Sequence, residues 1–279
     1  MTTAVKPENT GTSQPVATPS TGFSTSARTF LAVLRRDVFV TGRELGPFLA
    51  QVVIQPFFTL FIFGKVLANL GYVQGNFAEI LLPGIIALTG FLGALQNTTM
   101  PLVMDFAWTR EIEDRLLAPM PIPLVAVEKM VFGAIRGIVS ALLMVPVGFL
   151  VLDDVSWPVG ALLPVTGIVV LGSLAGAAIG MTVGTLVSPR RINIMFAVIL
   201  MPLMFTGSTQ FPWRGLSNLE WFQVVCALNP LTYMSEGMRA ELVPEVPHIP
   251  MWINLVVLLV SVVVFGAIGI KGFLRRALD

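Results

Sequence analysis

Six stretches of this chain run for about twenty residues or more with almost no charge, the length an α-helix needs to cross the hydrocarbon core of a bilayer. They are Leu45 to Gly64, Ile80 to Val103, Met130 to Leu152, Val159 to Val187, Ile192 to Phe211 and Ile249 to Ile270, with Arg136 the one charged residue inside them. Backbone N–H and C=O groups in lipid must bond to one another, so the pattern predicts an all-α membrane protein with six transmembrane helices. Composition agrees, with 55% of the 279 residues hydrophobic and 12% charged, where soluble chains carry about a quarter charged residues. A net charge of +1 supplies no basic face, so no nucleic-acid partner is expected.

One apolar stretch is too interrupted to cross. Phe205 to Leu242 reads FTGSTQFPWRGLSNLEWFQVVCALNPLTYMSEGMRAEL. Ser217 and Glu220 have the spacing of a capping box ahead of an apolar helix. Asn229-Pro230 then stops that helix and can start another as cap and first turn. A helix from Leu219 to Leu228 is about 15 Å long, half a hydrocarbon core. The expectation is a re-entrant helix pair over 212–248, between the fifth and sixth spans, that dips in and returns. Phe211, Pro212, Trp221, Asn229, Pro230 and Tyr233 are its gate residues, closing the outer end of a path.

Residues 1–25 are rich in Thr, Ser, Pro and Gly and hold too little apolar surface to fold, which predicts a disordered cytoplasmic tail. Over residues 26–44 the pattern turns helical, with Ala27, Phe30, Leu31, Leu34 and Val38 on one side and Arg28, Arg35, Arg36 and Arg43 on the other. Such a helix lies in the membrane interface with its arginines toward lipid phosphates, making membrane lipids a partner. If both termini are cytoplasmic, thirteen lysines and arginines face inward and only Arg214 and Arg239 face out. The positive-inside rule selects that topology.

Within the spans, Gly172, Gly176, Gly180 and Gly184 form a small-residue strip for close helix packing, within one subunit or between two. Gln51 and Gln55 lie one turn apart, and Gln96 and Asn97 near the inner end of the second span. These amides are either interhelical glue or contacts along a substrate path. Arg136 reads as a snorkelling or paired charge. The loop DFAWTREIEDRLLAPMPIP from Asp105 to Pro123 places Ile112, Leu116 and Leu117 at helical spacing among Arg110, Glu111, Glu113, Asp114 and Arg115, and Pro119 ends the pattern. That is a short amphipathic helix suited to docking a partner.

No catalytic or metal-binding residues are expected. The chain has one cysteine, Cys226, and one histidine, His248. Neither a histidine-based zinc site nor a Ser-His-Asp triad can be assembled from them. The phosphate-binding pattern G-x-x-x-x-G-K-[ST] is also absent, since Gly64-Lys65 is followed by Val66.

The segment FPWRGLSNLEWFQVVCALNPLTYMSEGMR resembles the signature before the last span of type-2 ABC exporter permeases, close to the daunorubicin-resistance and nodulation-factor export branches. TREIEDRLLAPMPI resembles the first cytoplasmic loop of that family, and the Glu128-Lys129-Met130 run its third span opening. Ile112 stands where the family has glycine, and Thr209-Gln210 precede Phe-Pro where many members are more apolar. The resemblance implies an N-terminal elbow helix, two paired permeases (copies or paralogues), and two separate ATPase subunits docked on the loop as a coupling helix. ATP and Mg2+ would then sit on the ATPase and no cofactor on this chain, in a bacterial plasma membrane. The implied function is outward transport of an amphipathic drug-like or lipid-like substrate, with antibiotic resistance as one outcome. Export of a polysaccharide or glycolipid is the alternative within transport, and a non-transporting membrane scaffold the alternative of another class.

Overall fold

The structure, a computed structural model, describes residues 23–43, 45–72, 77–106, 121–152, 157–191, 194 and 196–278. Helices dominate, and no strand occurs among the described residues. Helix α1 is Phe23–Arg43. Helix α2, Leu45–Thr59, continues through a π-helical segment Leu60–Val66 into Leu67–Asn69. Then come α3 (Phe77–Met104), α4 (Ile122–Val151) and α5 (Leu162–Leu186). A π-helical turn Phe196–Leu200 leads into α6 (Met201–Thr206). Two short helices, α7 (Glu220–Ala227) and α8 (Pro230–Leu242), precede the last, α9 (Met251–Leu278).

Several boundaries differ from the sequence expectation. Five helices among the described residues are long and apolar enough to cross a membrane, and the shorter apolar helix Ala197–Thr206 stands where a sixth span was expected. Its helix stops before Gly207 and Ser208 rather than reaching Phe211; Ser208 adopts left-handed backbone geometry, φ 49°, uncommon for a residue with a side chain. Helix α4 starts at Ile122, ahead of Met130, because Lys129 is buried in an ion pair with Asp105 of the preceding segment. A charge ends a span only when nothing neutralises it. Ser217 does not cap α7: Leu219 occupies the N-cap, no side-chain cap bond forms, and Trp213–Leu216 makes a 3-10 turn instead. Helix α1 begins at Phe23, three residues inside the expected tail.

Helix α3 is the hub. Of its most apolar window 72% is buried, the largest share of the five. Small residues let its neighbours approach to backbone contact. A Cβ on Gly176 would sit 2.4 Å from the Phe91 carbonyl oxygen and one on Gly180 2.5 Å from that of Leu95. On the opposite neighbour, a Cβ on Gly137 of α4 would meet the Gly90 oxygen at 2.5 Å. The Thr99 hydroxyl lies 3.0 Å from the Gly180 carbonyl, adding a polar tie across the α3–α5 seam. The strip Gly172 to Gly184 thus faces α3 over most of its length, with Gly172 against Met234 of α8.

An ion pair with no solvent exposure fastens the break after α6 to this hub. Arg239 and Glu236, both 0% exposed, are one turn apart on α8 and paired at 2.8 Å. Arg239 Nη2 donates to the Thr209 carbonyl at 2.9 Å and Nε to the Ile80 carbonyl at the start of α3 at 3.1 Å. Glu236 Oε1 accepts from the Trp213 N–H at 3.0 Å, and Oε2 from the Ile249 N–H at 3.3 Å, just before α9. The guanidinium holds three separated acceptors on one rigid planar fork, where a lysine would offer a single compact ammonium. Gly84 clears the space, since a Cβ there would lie 1.7 Å from the Thr209 oxygen and 2.8 Å from Arg239 Nη2.

Removing one partner of a buried, hydrogen-bonded ion pair costs about 3–5 kcal/mol, so Arg239→Leu is expected to be strongly destabilising. Gly84→Ala attacks the same knot sterically. Both variants should unfold at clearly lower temperature in detergent micelles than Gly167→Ala, whose added Cβ meets nothing within 4 Å. Equal melting of all three would show that the clasp holds nothing.

Candidate functional site

Helices α2, α3 and α6 surround a cavity of about 490 Å³. It follows α3 from Leu88 to Asn97, a rise of about 14 Å. Val52, Pro56, Phe63, Leu92 and Phe205 form apolar walls. The cavity gathers Gln55, Gln96 and Asn97, three of the four amides singled out in the sequence, and adds Gln210 from the break after α6. The backbone of Gln51 lies in α2, and its side chain is outside the described residues. Asn97 Nδ2 donates to the Gly93 carbonyl at 2.7 Å, and Gln55 Nε2 reaches only the Met204 sulfur, at 3.7 Å. Gln55, Gln96 and Asn97 therefore do not bond to one another across the helices; they line a cavity that extends to Gln210, beyond the inner-leaflet zone expected for the amides.

Above the cavity lies the segment expected to be a gate. Asn229 caps α8, accepting from the Leu231 N–H at 3.0 Å, while its Nδ2 donates to the Leu203 carbonyl at 2.7 Å and to the Thr206 hydroxyl at 2.9 Å. Pro230 is buried as the first residue of α8, where its missing N–H costs nothing. The Tyr233 hydroxyl donates to the Ala227 carbonyl at 2.8 Å, across the α7–α8 break. Phe211 packs on Phe222 with ring centroids 6.0 Å apart, and Pro212 caps the 3-10 turn. Trp213 and Gln223 exchange two side-chain-to-backbone bonds, 2.9 and 3.1 Å. Ten of the thirteen residues of α8 are buried, but α7 leaves Trp221, Val224, Val225 and Leu228 exposed.

The docking residues Arg110, Glu111, Glu113, Asp114, Arg115, Leu116, Leu117 and Pro119 lie outside the described residues. What flanks them is firmly held. Asp105 and Lys129 form a buried ion pair that joins the two ends of the loop. Phe106 packs at a tilt against Phe273, ring centroids 5.6 Å apart, and receives the Arg276 guanidinium at 4.6 Å from its ring centre. Arg276 also donates to the Gly184 and Val187 carbonyls, 3.1 and 3.2 Å, at the C-terminus of α5. Arg136 lies 4.9 Å from the Phe48 ring of α2, a cation–π contact within its own bundle.

Two parts of this site went unread in the sequence. Glu236 was passed over, although Glu-x-x-Arg inside an apolar stretch places opposite charges on one helix face, a signal for a buried pair. Gln210 was noted only as a departure from the family pattern, yet it faces the cavity.

Residues 28–243 match the ABC-2 type transporter family. The chain is 28% identical over 223 residues to the transport permease ycf38 of Cyanophora paradoxa, covering 75% of this chain and 72% of that protein. It is 27% identical over 230 residues to the inner membrane transport permease YadH of Escherichia coli K12, covering 77% and 84%. The ycf38 permease of Porphyra purpurea is 26% identical over 224 residues, covering 76% and 70%. With apolar helices long enough to cross a membrane several times and a family match over most of its length, this chain belongs to the ABC-2 type transporters, as a multi-pass permease subunit that works with a separate ABC ATPase.

Proposed function

We propose that this permease moves an amphipathic, drug-like or lipid-like substrate outward through the cavity among α2, α3 and α6. The observation that carries the reading is the cavity itself: polar amides on apolar walls, about 490 Å³, lying directly beneath the break at Gln210. That volume is the size of a site for one drug-sized molecule. In this reading both termini are cytoplasmic, α1 lies in the interface, the segment containing α6 completes a sixth crossing, and α7 and α8 re-enter from outside. A second permease, copy or paralogue, pairs with this one, and two ATPase subunits dock on the loop at Arg110 to Pro119. Drug efflux and antibiotic resistance are the physiological roles such a path supports.

In this reading the two gate helices differ. Helix α8 is clasped to α3 and α9 through Arg239 and Glu236, so it moves only with the bundle. Helix α7 exposes one apolar face, with bonds to the Trp213 turn and to α8. At the other end, the Asp105–Lys129 pair makes α3 and α4 respond together to a push on the loop between them.

Reconstitution with the cognate ATPase in proteoliposomes tests the transport reading, with ATP-dependent outward movement of substrate the expected result. A non-transporting scaffold would give none. Leu117→Asp should abolish coupled transport and reduce co-purification of the ATPase while leaving membrane insertion intact, because buried apolar anchors carry most docking energy. Unchanged export in that variant would place docking elsewhere. In a Cys226→Ala background, cysteines at Phe63 and Gln210, joined across the cavity through disulfides by a bis-methanethiosulfonate reagent, should halt export until a thiol reductant cleaves the link. Normal export by the linked protein would sink the cavity as the path.

A further inference from the structure

We infer that the cavity among α2, α3 and α6 selects an electroneutral amphipath, bound through hydroxyl, carbonyl or amide groups that meet Gln55, Gln96, Asn97 and Gln210. The inference rests on the reading of this cavity as the substrate path and names the chemistry that path accepts.

Charge is the first argument. Among the described residues, no aspartate, glutamate, lysine, arginine or histidine lines the cavity. Arg239 is paired with Glu236 and Lys129 with Asp105, and the buried Glu128 of α4 is not part of the cavity lining. An ionised ligand would give up its water without meeting a counter-charge, a penalty of several kcal/mol. A neutral polar group loses far less and regains it by hydrogen bonding.

The second argument is the inventory of unmet hydrogen-bonding groups. The side chains of Gln96 and Gln210 make no hydrogen bond with the described residues. Each offers two donors and an acceptor, whichever way its amide is turned. Asn97 spends one hydrogen on Gly93 and keeps its carbonyl oxygen, and among the described residues Gln55 Nε2 meets a thioether, a weak acceptor. The hydroxyls of Thr59 and Thr89 are not part of this set, since each donates to its own helix, at 3.0 Å to Gln55 and 2.8 Å to Ile85. Donors and acceptors therefore reach the cavity from α2, from α3 and from the break after α6. Carbonyls and hydroxyls of a ligand fit those groups, and the apolar walls take its hydrocarbon body.

Three benzophenone photoprobes of equal length, ending in a primary amide, a trimethylammonium or a sulfonate, test the assignment. The full permease–ATPase complex is held in nanodiscs of phosphatidylethanolamine and phosphatidylglycerol, and labelling is mapped by peptide mass spectrometry. Yields are normalised to probe in the bilayer. The amide probe should label Met204 and its neighbours saturably, at least fivefold over either charged probe. Gln96→Leu should cut that labelling about tenfold. Gln96→Glu should turn the preference toward the ammonium probe, and Gln210→Glu makes the same test from the roof. Equal or stronger cavity labelling by a charged wild-type probe overturns the neutral class while leaving the cavity a binding site. Cavity labelling by none of the three overturns the inference together with the cavity, whereas ATP-driven transport is judged separately by reconstitution.

Discussion

Arg239 and Glu236 meet where four chain segments would otherwise be free to separate. Their five hydrogen bonds and ion-pair contacts join the end of the α6 break, the start of α3, the 3-10 turn at Trp213 and the approach to α9. Backbone away from a helix leaves polar groups unpaired, and within a membrane there is no water to rescue them. Here a buried guanidinium and carboxylate provide those partners. The break after Thr206, with Ser208 in left-handed geometry, is tolerated because the clasp and Asn229 hold both of its sides.

A rigid hub is the other half of the arrangement. Lipid tails are as apolar as leucine, so helices in a bilayer associate through close contact and polar ties rather than through expulsion of water. Glycines at 137, 176 and 180 bring α4 and α5 onto the backbone of α3, and Thr99 adds a bond across the seam. Against that seam α2 and α6 are looser, each containing a π-helical segment and exposing large apolar side chains such as Phe58, Val198 and Phe205. The cavity opens between the tight part and the loose part. Such a division leaves Gln96 and Asn97 on the tight side of the cavity and Gln55 and Gln210 on the loose side.

Polar groups are sorted by type along the bundle. Charges in the bundle meet partners: Arg239 pairs with Glu236 beside the break after α6, Lys129 with Asp105 at the loop, and the partly buried Arg276 lies over Phe106 beside the end of α5. The cavity between holds neutral amides. A path lined by uncompensated charge would trap an ion, and a path lined by hydrocarbon alone would not orient an amphipath. Amides avoid both.

The sequence by itself determined that this is a helical membrane protein, where most of its long helices lie, that Asn229-Pro230 separates two short ones, and that it resembles ABC-2 permeases. Each of those follows from properties legible residue by residue: apolar length, missing N–H groups, cap chemistry and motif order. Boundaries were misplaced where a distant partner changed the local rule. Lys129 sits inside α4 because Asp105 neutralises it from another helix, and the expected Ser217 cap gave way to a 3-10 turn held by Glu236 and Gln223. Only the tertiary structure decided that the glycine strip of α5 packs on α3, that Gln210 joins Gln55, Gln96 and Asn97 around one cavity, and that Arg239 is a clasp. The reason is physical: periodicity gives the face on which a side chain stands, but which groups meet across helices depends on how closely the backbones approach, and that distance is set by all the contacts together.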